Sequence, residues 1–517
     1  MRFTNSIKIV FGIIISAFML SSCIKEAEPL STQEREKISL DAWIKLHKPE
    51  LMGNYQAVGG YYVEILEGDK NDNIAANGNN YGSEPLMRQD TCWVYTNMTG
   101  RDINGSICLT RKEKEAELCG TFSYSTHYVP FFNYCGNTNV GLLEGTYLAM
   151  RHELTLSDEY CAKYNIKKPY YMRRGSKIRI YLPSSIAYGE SGSTTQGGYE
   201  GQYTLSASRP LVLDIEVLGA IKNPSKREEE MVRIYTGYGN NPAWVLATKP
   251  ESERVDANDD LNLKGLYYNL DYNPANDNIY AYTYLQHHDD TNNTQNPYVD
   301  NRKYALGNMS KINDTINKIL LKRFGKGLDK SKQSEKTQIT RNGRAHVWYV
   351  LRFMDGFVVD TNIAEIRKLM FDESEPDCSV FSYSPSDDEG KEQSERQAIG
   401  AWYYCIPQMH YGAYGQIVTT SGYAYGIAGL TGTTTTTEVS TSGNADYYNA
   451  INYYNYYNYY NSYYNYYSPY YNYYDYNYYN YNYDTSVEEE VITTKTISTE
   501  ILPYTPLVFT LFVESND

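Results

Sequence analysis

The sequence predicts an α+β fold built from two copies of one antiparallel-sheet domain carrying long loop insertions, and three observations lead there. Lys177-Ile178-Arg179-Ile180-Tyr181-Leu182-Pro183 runs into Ala187-Tyr188-Gly189, and Tyr404-Cys405-Ile406-Pro407 runs into His410-Tyr411-Gly412. Each block is completed, after a polar interruption, by a similar strand, residues 210–217 in one copy and 506–513 in the other. Further back, Ala42-Trp43 precedes Lys48-Pro49-Glu50 at the spacing that separates Ala243-Trp244 from Lys249-Pro250-Glu251. These openings lead to apolar runs at Gly60-Tyr61-Tyr62-Val63 and Gly265-Leu266-Tyr267-Tyr268. Matched landmarks in one order are the mark of an internal duplication.

The 517 residues are too many for one ordinary core, so two domains are expected. At the N-terminus Arg2 and Lys8 precede an apolar run over residues 9–20. It is too short to span a bilayer and suits a signal-peptide core. The run ends in Leu20-Ser21-Ser22-Cys23, which resembles the lipobox of bacterial lipoproteins. That resemblance implies that residues 1–22 are removed and that Cys23 carries lipid, the chain's one link to a membrane. Lys25-Glu26-Ala27-Glu28 is similar to the acidic tags of Bacteroidetes surface lipoproteins, implying the bacterial cell envelope, at the outer membrane and facing outward. A net charge of −15 excludes nucleic acid as a natural partner, since that needs a basic face.

Residues 23–40 read as a tether, 41–221 as the first domain, 222–240 as a linker and 241–517 as the second domain. Ile178, Ile180 and Leu182 alternate with Lys177, Arg179 and Tyr181, the period of a half-buried antiparallel strand. Leu211, Leu213, Ile215 and Val217 repeat the pattern. Val347-Trp348-Tyr349-Val350-Leu351-Arg352-Phe353 turns at Asp355-Gly356 into Phe357-Val358-Val359-Asp360, a hairpin signal because the turn needs positive φ. Residues 316–323 have a short helix's pattern. An exported compartment permits disulfides; five cysteines fall in the first domain after Cys23, enough for two bridges and a spare thiol, with the pairing open. Residues 431–484 hold a Thr run and then mostly Tyr-Tyr-Asn triplets, whose period of three fits neither helix nor strand. So many phenols could hold glycans or protein partners.

A strand ending in Ile-Pro or Leu-Pro, then Tyr-Gly, a loop and a Pro-Leu-Val strand resembles the FKBP-type peptidyl-prolyl cis-trans isomerases. The resemblance implies two FKBP-like domains, each a twisted antiparallel sheet wrapped around a short helix, with a proline pocket between. It implies Tyr188, Tyr411, Asp360 and Tyr349 as the polar catalytic groups. Tyr95, Leu142, Leu213, Val359 and Phe509 would line the pockets, which take proline-containing polypeptides. The match has gaps: Leu142-Leu143-Glu144-Gly145 lacks the family's tryptophan, and no apolar helix start is evident between Ser386 and Gln397. The competing reading is a surface lipoprotein whose degenerate isomerase folds bind glycans or proteins through the Tyr-rich loop. No metal or cofactor is expected. His287-His288-Asp289-Asp290 lies in an Asn-rich loop, the calcium-like Asp69-Lys70-Asn71 run lacks the glycine such a loop requires, and no metalloprotease, phosphate-loop or hydrolase motif occurs.

Overall fold

The computed structural model describes residues 30–514, apart from 68–83, 87–91, 122–126, 137–141, 198–200, 255, 257, 259, 277–296, 328–337, 372–380, 392–394 and 440–491. The proposed signal peptide, Cys23, the paired histidines, the calcium-like run and the Tyr-Tyr-Asn triplets lie outside the described residues.

The first half opens with α1 (Thr32–His47), started by a capping box between Ser31 and Glu34 and burying Glu36, Leu40 and Ile44 on one stripe. Then come β1 (Tyr55–Gln56), β2 (Tyr61–Glu67), β3 (Trp93–Arg101), β4 (Ile107–Thr110), α2 (Glu113–Cys119) and β5 (Phe131–Tyr134). They are followed by α3 (Glu144–Arg151), α4 (Asp158–Tyr164), β6 (Lys177–Leu182), the hairpin β7 (Ser193–Gly197) and β8 (Gly201–Leu205), and β9 (Leu211–Ile221). The second half opens with α5 (Pro224–Thr236), capped by Asn223, with Glu228, Val232 and Thr236 on the matching buried stripe. It continues through β10 (Val245–Thr248), β11 (Asn262–Asn269), α6 (Pro297–Phe324), β12 (Ala345–Phe353), β13 (Val358–Thr361), α7 (Ala364–Phe371) and β14 (Phe381–Tyr383). The last elements are α8 (Gly400–Cys405), β15 (Ala413–Thr419), β16 (Leu430–Val439), β17 (Ile492–Ile501) and β18 (Leu507–Glu514).

Two antiparallel seven-stranded sheets result, with one topology: β1-β2-β6-β9-β3-β4 with β5 on β3, and β10-β11-β15-β18-β12-β13 with β14 on β12. Register fixes the equivalences. Leu182 pairs with Leu211 where Thr419 pairs with Leu507, so β6 corresponds to β15 and β9 to β18. Gly60 and Gly265, both at positive φ, precede the matching runs of β2 and β11. Residues 32–40 of the segment read as tether lie in α1, and most of the segment read as linker is α5. Two sequence landmarks fail. Ala42-Trp43 lies inside α1 whereas Ala243-Trp244 lies before β10, and Tyr404-Cys405-Ile406-Pro407 ends α8 and enters a 3-10 turn instead of forming a strand. The helix expected over residues 316–323 is the end of the 28-residue α6.

Packing differs on the outer faces. In the first half Arg101 and Arg179 pair with Asp214 at 2.9 and 2.6 Å on a half-exposed face. In the second, α6 covers that face: Arg352, 2% exposed, donates to Asn313 of α6 at 2.9 Å and to Thr510 at 2.7 Å, while Phe324 stacks on Phe512. Every residue of β15 is therefore buried, where β6 leaves Lys177 and Arg179 half-buried. The halves also touch. His127 stacks on Phe353 at 4.4 Å, and its Nε2 lies 2.8 Å from Asp355 in the β12-β13 turn. The six described cysteines are all free, so neither bridge forms; Cys92 and Cys135 sit side by side with their thiols hydrogen-bonded.

Residues 430–500 form a separate compact unit, of which β16 and β17 are described. Their place in the chain matches that of β7-β8. A Cβ on Gly192 would collide with Leu205 O and one on Gly429 with Ile501 O, so both hairpins need glycine at their base, each at φ +67°. In sequence the Tyr-Tyr-Asn triplets fall between β16 and β17, where the first half has three residues between β7 and β8.

Candidate functional site

In the second half the side chains converge on Trp402. It sits on the first turn of α8, a helix that follows Ala398-Ile399, and is 6% exposed. Tyr349 of β12, Phe381 of β14 and Phe509 of β18 meet its indole edge-to-face, at centroid distances of 5.4, 5.2 and 5.9 Å. These are the separations and tilts that aromatic quadrupoles favour. Phe509 is buried like Trp402, whereas Tyr349 and Phe381 are half-buried, leaving an aromatic surface with a solid floor. The indole N–H of Trp402 has no hydrogen-bond partner among the described residues.

A polar pair borders this surface. The Tyr349 hydroxyl donates to Asp360 Oδ2 at 2.6 Å, while Asp360 Oδ1 accepts the Thr361 N–H at 2.8 Å. Burial, reinforced by the Asp360 carboxylate, pushes the Tyr349 phenol well above its ordinary range, so it remains a donor. A β-bulge sets the geometry: Leu351 pairs with Asp360 and Arg352 with Val358, which leaves Val359 unpaired and 4% exposed.

The third component is a turn. After β15, residues 421–423 make a 3-10 turn and Ala424 takes φ −129° and ψ −106°, presenting Tyr425 before Gly426. Ala187 before Tyr188 has φ −123° and ψ −108° after the 3-10 turn at residues 184–186. Tyr425 is thus the counterpart of Tyr188. Burial raises its phenol pKa, with Asp360 adding to the rise.

Register gives the first-half equivalents. Met98 pairs with Ile215 where Tyr349 pairs with Leu511, and Leu213 stands at the position of Phe509. The β3-β4 ladder has the same bulge, so Cys108 matches Val359 and Leu109 matches Asp360. Leu143 and Ile399 each start a helix, which sets Thr146 against Trp402. Thr146 is 1% exposed and its hydroxyl has no hydrogen-bond partner among the described residues. Tyr188 borders Cys108, and burial with that neighbour raises its pKa.

Of the residues nominated by sequence, Tyr349, Val359, Asp360 and Phe509 gather in the second half, and Tyr188, Leu142 and Leu213 belong to the first-half core. Two are elsewhere. Tyr411 precedes β15 and donates to Arg344 O at 2.9 Å. The Ile-Pro before it imitates the end of a strand, whereas the true strand, β15, ends at Thr419. Tyr95 stacks on Phe132 and accepts from Arg227 at 2.7 Å, three residues before Met98, which register sets at the position of Tyr349. Sequence reasoning missed Trp402 and Tyr425; Ala398-Ile399-Gly400-Ala401-Trp402 set against Leu142-Leu143-Glu144-Gly145-Thr146 was the available signal. No cluster able to hold a metal occurs among the described residues.

No protein-family model matches the chain, and no curated protein matches it. Among solved structures it is similar to FkpA from Escherichia coli, at 16% identity over 42% of this chain and 72% of that one, with a TM-score of 0.22. A peptidyl-prolyl cis-trans isomerase from Pseudomonas syringae pv. tomato matches at 17% identity over 38% and 98%, with a TM-score of 0.22. The three FKBP domains of wheat FKBP73 match at 10% identity over 89% and 98%, with a TM-score of 0.19. At such scores the reading of the site rests on its own geometry.

Proposed function

We propose that the second half binds proline-containing polypeptides on the aromatic surface around Trp402 and accelerates rotation about their X-Pro bonds. The observation that carries this is the convergence of Tyr349, Phe381 and Phe509 on Trp402 beside the Tyr349–Asp360 pair. Rotation about a peptide bond faces a barrier of roughly 18–20 kcal/mol, because the amide must give up its resonance. No nucleophile is required. A surface that holds the twisted amide more tightly than the planar one lowers the barrier. Trp402 and Phe509 supply the apolar floor for the pyrrolidine ring, and Tyr349, locked by Asp360, fixes one wall. Tyr425, kept protonated by burial, offers its hydroxyl to the substrate carbonyl.

The first half is read as a scaffold in which methionine, leucine and threonine have replaced the tyrosine, aspartate and tryptophan. With lipid on Cys23 the protein would work at a bilayer of the bacterial envelope, on exported polypeptides whose uncatalysed isomerisation takes tens to hundreds of seconds. The test is a protease-free isomerisation assay on the chain from residue 23 onward. Acceleration that is lost in Trp402→Ala supports the reading; absence of acceleration by the unaltered protein removes it.

A further inference from the structure

We infer that Glu228 is a positioning residue: its buried carboxyl, acting through Ser421, holds the turn that presents Tyr425. Glu228 comes from α5, more than 190 residues before the turn, and is 2% exposed. The Ser421 hydroxyl donates to it at 2.8 Å, and the Ser421 backbone N–H faces the same carboxyl at 3.3 Å. Ser421 in turn clasps the turn from its other end, since its carbonyl accepts the N–H groups of Ala424 at 2.9 Å and Gly426 at 2.8 Å. Those two residues flank Tyr425. One serine therefore joins a helix to both sides of the tyrosine.

The first half repeats the device with different surroundings. Glu36 of α1, 7% exposed, accepts the Ser184 N–H at 2.6 Å and the Ser184 hydroxyl. Ser184 O accepts from Ala187 at 2.9 Å and Gly189 at 2.8 Å, the residues around Tyr188. The pocket residues differ at position after position between the halves, yet the buried Glu and its Ser are kept in both. A carboxyl is costly to bury without partners, so a glutamate on a core-facing helical stripe needs a task that only its oxygens perform. Here the task is to accept two donors from one residue, which neither leucine nor valine could do.

The catalytic part of this inference rests on the proposed isomerase reading, and the structural part does not. Hydrogen exchange of residues 420–426 in the unaltered chain, Glu228→Gln and Glu228→Ala therefore accompanies the isomerisation assay. The amides of Ala424 and Gly426 are expected to lose protection by tenfold or more in Glu228→Ala and to recover most of it in Glu228→Gln, whose amide oxygen still accepts. The value of kcat/KM should fall and recover in the same order. Glu36→Ala should loosen residues 184–189 and leave 420–426 unchanged. Unchanged protection at 424 and 426 in Glu228→Ala, or no recovery in Glu228→Gln, overturns the inference. Protection that follows the expected order in a chain without isomerase activity overturns the isomerase reading and keeps the turn-holding role.

Discussion

The two halves share strand order, bulge and tyrosine-bearing turn, and they differ in what stands beneath the turn. Trp402 becomes Thr146, Phe509 becomes Leu213, Tyr349 becomes Met98 and Asp360 becomes Leu109. The backbone tolerates these exchanges because alternation and register, which set the sheet, need only an apolar or small residue on the inner face. The proposed binding of a pyrrolidine ring is more demanding. It requires aromatic edges at fixed tilts beside a hydroxyl locked by a carboxylate, and at these equivalent positions, among the described residues, the second half has that set and the first does not.

Substituting the floor should break this contrast most sharply. Trp402→Ala is expected to cost about 3–5 kcal/mol of stability through the cavity it leaves, measured as a shifted denaturant midpoint, and to abolish turnover. Thr146→Val, which removes a buried hydroxyl without a partner, should instead stabilise by about 1 kcal/mol. The next effect concerns pH. Burial pushes Glu228 up to about 8 from 4.5, so its contribution to stability is fully present below the ordinary carboxyl range and fades as pH rises through about 8. Its nearest charged neighbours, Arg227 and Glu229 on α5, modulate that shift in opposite senses, and the Tyr504 phenol faces it from before β18. Stability should fall by up to about 1.4 kcal/mol for each pH unit in that window, and Glu228→Gln should flatten the profile.

Smaller changes separate the tyrosines. Tyr425→Phe should lower kcat/KM about tenfold, the worth of one hydrogen bond of about 1–1.5 kcal/mol, while Tyr411→Phe leaves it unchanged. The smallest effect is expected at Arg367, whose guanidinium lies 4.0 Å from a half-exposed Asp360. Arg367→Ala should alter turnover less than threefold, in keeping with an exposed ion pair.

Much of the fold could be read from the chain. Alternation located β6 and β9, likeness to the 210–217 strand located β18, and Asp355-Gly356 located the β12-β13 hairpin. The site was less legible. The expectation of Tyr411 rests on Ile406-Pro407, which looks like a strand end, while β15 closes on a threonine that carries no such mark. Met98, and not Tyr95, stands at the position of Tyr349 because register is settled by the partner strand β9, which a single strand does not reveal. Phe381 and Trp402 lie 21 residues apart and meet only through β14 and α8, so no window of sequence joins them. Glu36 and Glu228 fall at or beside segments read as tether and linker, and the serines that donate to them lie 148 and 193 residues away, so nothing local marks either pair.

The central claim is that one half keeps a proline-binding surface and the other has lost it. The chain has five tryptophans, so their indole N–H resonances can be followed by NMR while a proline-containing peptide is added. The Trp402 signal, assigned through Trp402→Phe, should shift in a saturable way, with Trp43, Trp93, Trp244 and Trp348 unmoved. Shifts at Trp43 or Trp93 with Trp402 silent would place any binding in the first half and contradict the account.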